Sequence, residues 1–274
     1  ETKVTFIELS PAVAVDFNML GWGNWRFGAG YRLSMVTVDR VKKSDSFTFF
    51  DYSLKGLNYE GFRVGLQWTP FQDLDLGVVY RHKTNTNVKV GEGKTYNQDF
   101  EDINIDFLLP TRLGFGARYQ IRPVSVAVDV EYIFNSQNEE AFLAGTQVSD
   151  GAPGGVKVPY YWDDNLIARF GIEYGFLERW AVRAGYTFDG QTSTKLYPTA
   201  FGTPPAPTHS GTIGVGYEGD SWEANLAYAH RTGTGEVPNE EKDKRDVSCL
   251  TCSEGGDYGI VLNGIYLDFS YYWH

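Results

Sequence analysis

The sequence predicts an all-β chain, an antiparallel transmembrane β-barrel of a Gram-negative outer membrane with about eleven strands visible. Three observations predict it. Apolar and polar residues alternate with period two along the whole chain. Short and long polar connections alternate between those segments. Six of the seven Trp fall beside the short connections or the C-terminus.

The alternation is clearest from Trp180 to Asp189. Trp180, Val182, Ala184, Tyr186 and Phe188 make one face; Ala181, Arg183, Gly185, Thr187 and Asp189 make the other. Leu166, Ala168, Phe170, Ile172 and Tyr174 oppose Arg169, Gly171 and Glu173. Val124 to Phe134 and Trp222 to Tyr228 repeat the pattern. Similar faces run through Trp25 to Met35, Phe62 to Trp68, Leu74 to Tyr80, Ile103 to Ile121 and Ile265 to Trp273. A soluble sandwich also alternates, but its outer face carries many Lys and Glu. Here the polar face is Gly, Ser, Thr, Asn, Arg and Asp with almost no Lys, which suits a lumen.

The tight connections lie at Asn18–Trp25, Thr69–Asp73, Gln120–Pro123, Gly175–Arg179 and Glu218–Ser221. Long polar ones lie near 41–46, 91–99, 137–160, 194–208 and 235–257. Short periplasmic turns and long extracellular loops have this arrangement. Trp22, Trp25, Trp68, Trp180, Trp222 and Trp273 then form a periplasmic aromatic girdle, with Trp162 on the long-loop side.

Composition agrees. The 274 residues carry a net charge of -11, which disfavours nucleic-acid binding. Mean hydropathy is -0.33, because alternating strands average their hydropathy away. No segment approaches the run of about 18 apolar residues that a membrane helix needs. Aromatic residues reach 16% and Gly numbers 31. The sequence opens on Glu1-Thr2-Lys3 with no signal peptide in view. Counted back from a periplasmic C-terminus, eleven strands put Glu1 outside, whereas bacterial single-chain barrels have even strand numbers. Closure therefore calls for upstream strands, 14 or alternatively 12 in all, and the expectation is one barrel domain over 1–274 without its early strands. The strand holding Val13, Val15 and Phe17 is expected to leave a gap beside Ile265–Trp273.

Taken in order, several segments resemble the FadL/TodX family of outer-membrane transporters. They are Leu109-Pro-Thr-Arg-Leu-Gly-Phe-Gly-Ala-Arg-Tyr119, Val126-Ala-Val-Asp-Val-Glu-Tyr132, Tyr161-Trp-Asp-Asp164, Arg169-Phe-Gly-Ile-Glu-Tyr174 and Trp180-Ala-Val-Arg-Ala-Gly-Tyr186. Ser10-Pro-Ala-Val-Ala14 and Ser53-Leu-Lys-Gly56 are similar too, and the resemblance covers most of the chain from Ser10. It implies a 14-stranded barrel plugged by an N-terminal hatch, with passive uptake of hydrophobic molecules such as long-chain fatty acids. Loops capture the ligand, the lumen holds it and the wall releases it sideways into lipid. The hatch and about three early strands are not in this sequence, and Ala206-Pro-Thr-His209 stands where the family tends to place an acidic–Arg pair. A polar-solute porin, or a structural or secretion-associated subunit docking partner chains in an outer-membrane assembly, stays open.

Parity places Arg26, Arg32, Arg63, Arg81, Arg118, Arg169, Arg183 and Arg231 on the lumen side. Asp16, Asp75, Asp106, Asp129, Glu131, Glu173, Asp189, Glu223 and Asp268 face the same way. Salt-bridge ladders are the first reading, since poorly hydrated charges must pair. The sharper one is that an Arg such as Arg118, Arg169 or Arg183 holds a carboxylate headgroup. Phe142, Leu143, Tyr160, Tyr161, Tyr197 and Phe201 put apolar bulk into polar loops, either as loop packing or as a ligand-capture surface.

Cys249 and Cys252 form a lone CxxC without a second metal-ligand pair, so a local disulfide is expected in an exported protein. Gly214-Val-Gly-Tyr-Glu-Gly219 matches a dinucleotide fingerprint but leads into a strand instead of a helix. His82 and His230 fall on the outward parity, His209 lies in a Pro-rich stretch and His274 is terminal. No inward His–Ser pair emerges, so no enzyme, cofactor or metal is expected. The expected partners are membrane lipid and a hydrophobic ligand.

Overall fold

The computed structural model describes residues 2–198, 204–245, 249 and 252–272. It contains sixteen strand segments in one antiparallel sheet. They are β1 (Thr2–Leu9), β2 (Ala12–Asp16), β3 (Trp25–Ser44), β4 (Phe47–Phe71), β5 (Leu74–Arg81), β6 (Thr84–Thr95), β7 (Gln98–Leu109) and β8 (Arg112–Ile121). After them come β9 (Val124–Ile133), β10 (Glu140–Gln147), β11 (Pro153–Pro159), β12 (Asn165–Phe176), β13 (Trp180–Asp189), β14 (Thr208–Glu218), β15 (Trp222–Val237) and β16 (Gly256–Tyr271).

The ladders sort these segments into two levels. At the short-turn level, eleven segments pair in the order β2, β3, β4, β5, β8, β9, β12, β13, β14, β15, β16. Above it, β1, β3, β4, β6, β7, β10 and β11 pair in sequence. The eleven predicted strands are therefore present, five of them broken at a common seam. β3 and β4 cross the seam unbroken. Among the described residues no backbone ladder joins β2 to β16.

The reason for the seam lies in what surrounds each level. Below it, the outward residues are large and apolar: Phe115, Val128, Phe170, Tyr174, Val182 and Tyr186 are exposed. The inward residues are Gly, Ala, Ser and charged side chains. Above it the pattern is reversed. Val36, Leu54, Val88, Ile103 and Leu143 pack inside with Phe50 and Tyr52 as a buried core. Asn85, Asn87 and Lys89 of β6 lie on the outside of that level, exposed. An outer face in lipid has to be apolar, and an outer face in water need not be.

An odd residue at the seam performs this switch. Arg81 and Thr84 both face inward, as do Leu109 and Arg112, so His82–Lys83 and Pro110–Thr111 each absorb an extra position. Pro110 has no N–H to leave unpaired at its break. On β4, Gly61 opposes Arg32 while Asn58 opposes Ser34, again with one residue too many. A Cβ on Gly61 would stand 2.6 Å from the Arg32 carbonyl oxygen, so a side chain there would push the strands apart. Side-chain amides bridge part of the seam. Asn135 donates to Asn165 Oδ1 at 3.0 Å, and Asn165 donates to Asp189 Oδ1 at 3.0 Å.

Two sequence expectations change. The alternation from Ile103 to Ile121 is unbroken as text, yet Ile103 points inward and Ile121 is exposed, because Pro110–Thr111 turns the strand over. For the same reason Asp106 is not a lumen residue: it accepts from Asn87 at 3.0 Å on the exposed face. The polar stretches 41–46, 91–99 and 137–160 are also no long loops: the first two are strand ends joined by the two-residue turns Asp45–Ser46 and Tyr96–Asn97, and the third holds the β10–β11 hairpin.

At the short-turn end, Trp25 stacks on Trp68 at 4.9 Å, and Trp180, Tyr217 and Trp222 pack in a row. Trp273 lies outside the described residues. The register makes Val182 outward and Arg183 inward. Val182→Arg should accordingly destabilise the barrel by roughly 2–4 kcal/mol in urea titrations from lipid vesicles, while Ala181→Ser should be near neutral.

Candidate functional site

The inner wall of the lower level is a lattice of ion pairs. Arg169 donates to Asp129 at 2.6 Å and to Glu131 at 2.8 Å. Arg183 donates to Glu173 at 2.5 Å and also to Asn225. Arg231 donates to Asp189 at 2.6 Å, and Arg118 to the Ser125 hydroxyl at 3.0 Å. Most of these partners sit opposite or near one another on neighbouring strands, where opposite charges attract. Arg118, Asp129, Arg169, Glu173 and Arg183 line a cavity of about 620 Å³ that includes Gly171, Gly185 and Gly214. The three arginines singled out as headgroup candidates, Arg118, Arg169 and Arg183, are thus all on this wall and all already partnered.

At the seam the wall changes character. A second cavity of about 390 Å³ is lined by Phe107, Leu109, Ile133, Tyr160, Trp162 and Ile167 on one side and by Asn135, Asn165, Thr192, Asp189, Arg112 and Arg231 on the other. Tyr160 packs against Trp162 with the rings tilted and their centroids 5.1 Å apart. Burial pushes the Tyr160 phenol above its ordinary range, so it stays neutral at any physiological pH. The chamber therefore joins an apolar patch to a polar one of amides, a carboxylate and two guanidinium groups.

Glu8 was missing from the sequence-derived charge set, and it is the hub of the seam. Its Oε2 accepts from Arg32 Nη2 at 2.7 Å and from Arg81 Nη2 at 3.0 Å; Ser10 donates to its Oε1 at 2.7 Å. Arg32 is 1% exposed and also donates to the His82 carbonyl. Glu8 thereby ties β1 to β3 and, across the inner face, to β5. It escaped notice because Thr2–Leu9 reads as polar text without a clear apolar partner face. Arg112, on the same strand face as Arg118, also belongs to the inward set.

The loop candidates divide. Leu143 is 6% exposed and belongs to the upper core, opposite Val156 on β11; it is a strand residue and no part of an exposed surface. Tyr197 is 4% exposed and packs 5.1 Å from Tyr161. Phe142 is on the other face of β10 and 57% exposed, and Tyr161 is partly exposed with its hydroxyl near Glu140 at 3.4 Å. The apolar bulk at 142–143 was legible in sequence, but burial splits it by strand parity. Phe201 lies outside the described residues. Cys249 and Cys252 are joined by a disulfide. Beside them Arg245 donates to the Leu196 and Ser253 carbonyls, which ties the 194–198 segment to the 238–255 connection. Among the described residues no group of His, Cys, Asp and Glu is arranged to hold a metal ion.

A membrane-type β-barrel with a charged inner wall and an apolar upper chamber is the class of protein these features define. Its fold is that of the FadL/TodX-type barrels. No family model matches the chain, and no curated protein does. Among solved structures it is similar to a Pseudomonas aeruginosa FadL homologue, with TM-score 0.75 and 16% identity over all of this chain and 69% of that one. The Ralstonia pickettii toluene transporter TbuX gives 0.69 and 15%, covering 99% of this chain and 69% of that one. The CymD monoaromatic hydrocarbon channel gives 0.66 and 14%, covering 100% and 75%. At such identities the likeness shows a shared fold.

Because Arg32 is buried, removing its counter-ion leaves an uncompensated charge. Glu8→Gln should cost about 3–5 kcal/mol in equilibrium unfolding. The double variant Glu8→Gln with Arg32→Met should recover most of that loss in the same titration.

Proposed function

We propose that this chain is an outer-membrane barrel for passive transport of hydrophobic small molecules, a reading carried by the apolar chamber that sits inside the wall directly above the charged lattice. A pore for polar solutes gains nothing from gathering Phe107, Leu109, Ile133, Trp162 and Ile167 along one cavity, since such a lining raises the cost of admitting ions. An apolar solute gains from every one of them, at about 25 cal/mol per Å² removed from water. The likeness in fold to structures described as toluene transporters and a monoaromatic hydrocarbon channel supports the same reading.

The ligand's path follows from where apolar surface lies. Capture starts at Phe142 and Tyr161, the exposed aromatics of the upper hairpin region. The ligand then occupies the chamber at the seam. Release is sideways, next to the open flank of β2. There a notch of about 420 Å³ in the wall is lined by Pro11, Ala12, Val13, Tyr31, Phe62 and Val64. Pro11 lies between β1 and β2; its carbonyl accepts from the Tyr31 N–H, but it has no N–H of its own to offer a neighbouring strand.

The test is uptake into proteoliposomes. The chain should accelerate entry of a hydrophobic solute such as toluene or a long-chain fatty acid, and it should show no steady ion conductance in a planar bilayer. Steady conductance together with unaccelerated hydrophobic uptake would sink the reading in favour of a polar-solute pore. Phe142→Ser should lower the uptake rate while leaving the barrel's heat-modifiable gel mobility unchanged. Leu143→Ser, by contrast, should loosen the upper core and increase protease cleavage near 140–160.

A further inference from the structure

His82, His209 and His230 lie on the outer face of the wall, and the transport path uses none of them. Each is about ten residues along the chain from a short turn. With a rise of about 3.3 Å per residue and a strand tilt of about 40°, ten residues climb about 25 Å, the height of a barrel's outward apolar band. The histidines therefore stand at the rim of that band opposite the tryptophan end. Short turns are periplasmic, so this rim belongs to the outer leaflet.

Two of the three surround a gap. Register puts Tyr186 opposite Gly211, and Gly211 opposite His230. A Cβ on Gly211 would meet no atom within 4 Å, so the layer of outward side chains is open there. Two strand spacings of about 4.8 Å separate the flanking backbones, which leaves room for a group of phosphate size. The rim is polar: the Tyr186 hydroxyl bonds to His209 Nδ1 at 2.6 Å, and the Tyr228 hydroxyl donates to Asn263 Oδ1 at 2.6 Å. His230 Nδ1 lies 2.9 Å from the same Asn263 oxygen. The Nε2 atoms of His209 and His230 have no hydrogen-bond partner among the described residues, and both side chains are exposed. On β13 to β16 the nearest outward carboxylates are Glu236 and Asp257, which face each other six residues further up from His230 and Asn263. His82 differs: it pairs with the Tyr80 hydroxyl at 3.1 Å, but Phe62 stacks on its ring at 4.7 Å.

We propose that the gap over Gly211, rimmed by Tyr186, His209 and His230, binds a phosphate of an outer-leaflet glycolipid. Tyrosines at this height need only the interface itself. Imidazole nitrogens without partners on a lipid-facing wall are costly unless a headgroup supplies one. An anionic phosphate oxygen is a strong acceptor for such N–H groups, and no carboxylate stands beside the gap to repel it. The lipid's acyl chains lie down the apolar face formed by Val182, Ile213 and Leu226, and its sugar hydroxyls meet Asn263 and Thr232. The inference goes beyond the transport reading and does not rest on it, since the site is on the outside of the barrel.

The test is native mass spectrometry of the full chain in detergent micelles, titrated with bisphosphorylated lipid A or with its dephosphorylated form. The phosphorylated lipid should bind about tenfold tighter, the factor that one charge-assisted hydrogen bond supplies. The double variant His209→Phe, His230→Phe should abolish that preference and leave binding of the dephosphorylated lipid unchanged. Gly211→Leu fills the gap while keeping both hydrogen-bonded pairs, so it should also remove the preference, even if the histidine variant folds poorly. His82→Phe should keep all of it. Equal binding of the two lipids overturns the site, as does a preference that survives Gly211→Leu in folded protein. Phosphatidylglycerol bound as tightly as the phosphorylated glycolipid overturns the assignment to that lipid. None of these outcomes bears on toluene uptake, which Gly211→Leu should leave unchanged.

Discussion

Apolar side chains must face whatever apolar neighbour a level of the molecule has, and this constraint organises the rest of the structure. In the lower level the neighbour is outside and the lumen is left to charge. In the upper level the neighbour is the chain itself, so Val36, Leu54, Val88 and Ile103 turn inward. A strand with strict period-two chemistry can satisfy both demands only by slipping one residue between them. The breaks at His82–Lys83 and Pro110–Thr111 are that slip; near them Asn165 accepts from Asn135 and donates to the Gly190 carbonyl.

The ion lattice follows from the same constraint. Once the lumen face is given over to polar residues, charges there have limited water and need partners within reach. Cross-strand pairing supplies them at little conformational cost: Arg169 with Asp129 and Arg183 with Glu173 use neighbouring strands that are already fixed. Glu8 extends this principle beyond neighbours, because its carboxylate reaches past β3 and β4 to Arg81. The wall is therefore braced across its curvature as well as along its ladders.

Much of this was legible in the sequence, and the failures have a common cause. Fold class, the eleven strands, the short-turn tryptophans and the inward set from Arg118 to Arg231 depend on local alternation, which the sequence carries directly. Asp106 went astray because parity was carried across a bulge that alternation does not reveal, and Leu143 because the break after β9 made 137–160 read as a loop. Pro110 was the available signal, since a proline within a strand marks an interruption of the ladder. The gap over Gly211 could not be read in advance at all. Tyr186, Gly211 and His230 are distant in sequence, and their adjacency is a matter of register between three strands.

The seam also divides the chain into modules that different pressures can shape independently. Hairpin tips above it, such as β6–β7 and β10–β11, answer to aqueous solubility and to the shape of their own core; the strands below it answer to lipid and to charge pairing. Tips of differing length and chemistry could be exchanged on one unchanged membrane wall, provided each graft keeps the odd residue at its junction. A scaffold of this kind lets the outer entrance diversify without re-solving the problem of membrane insertion.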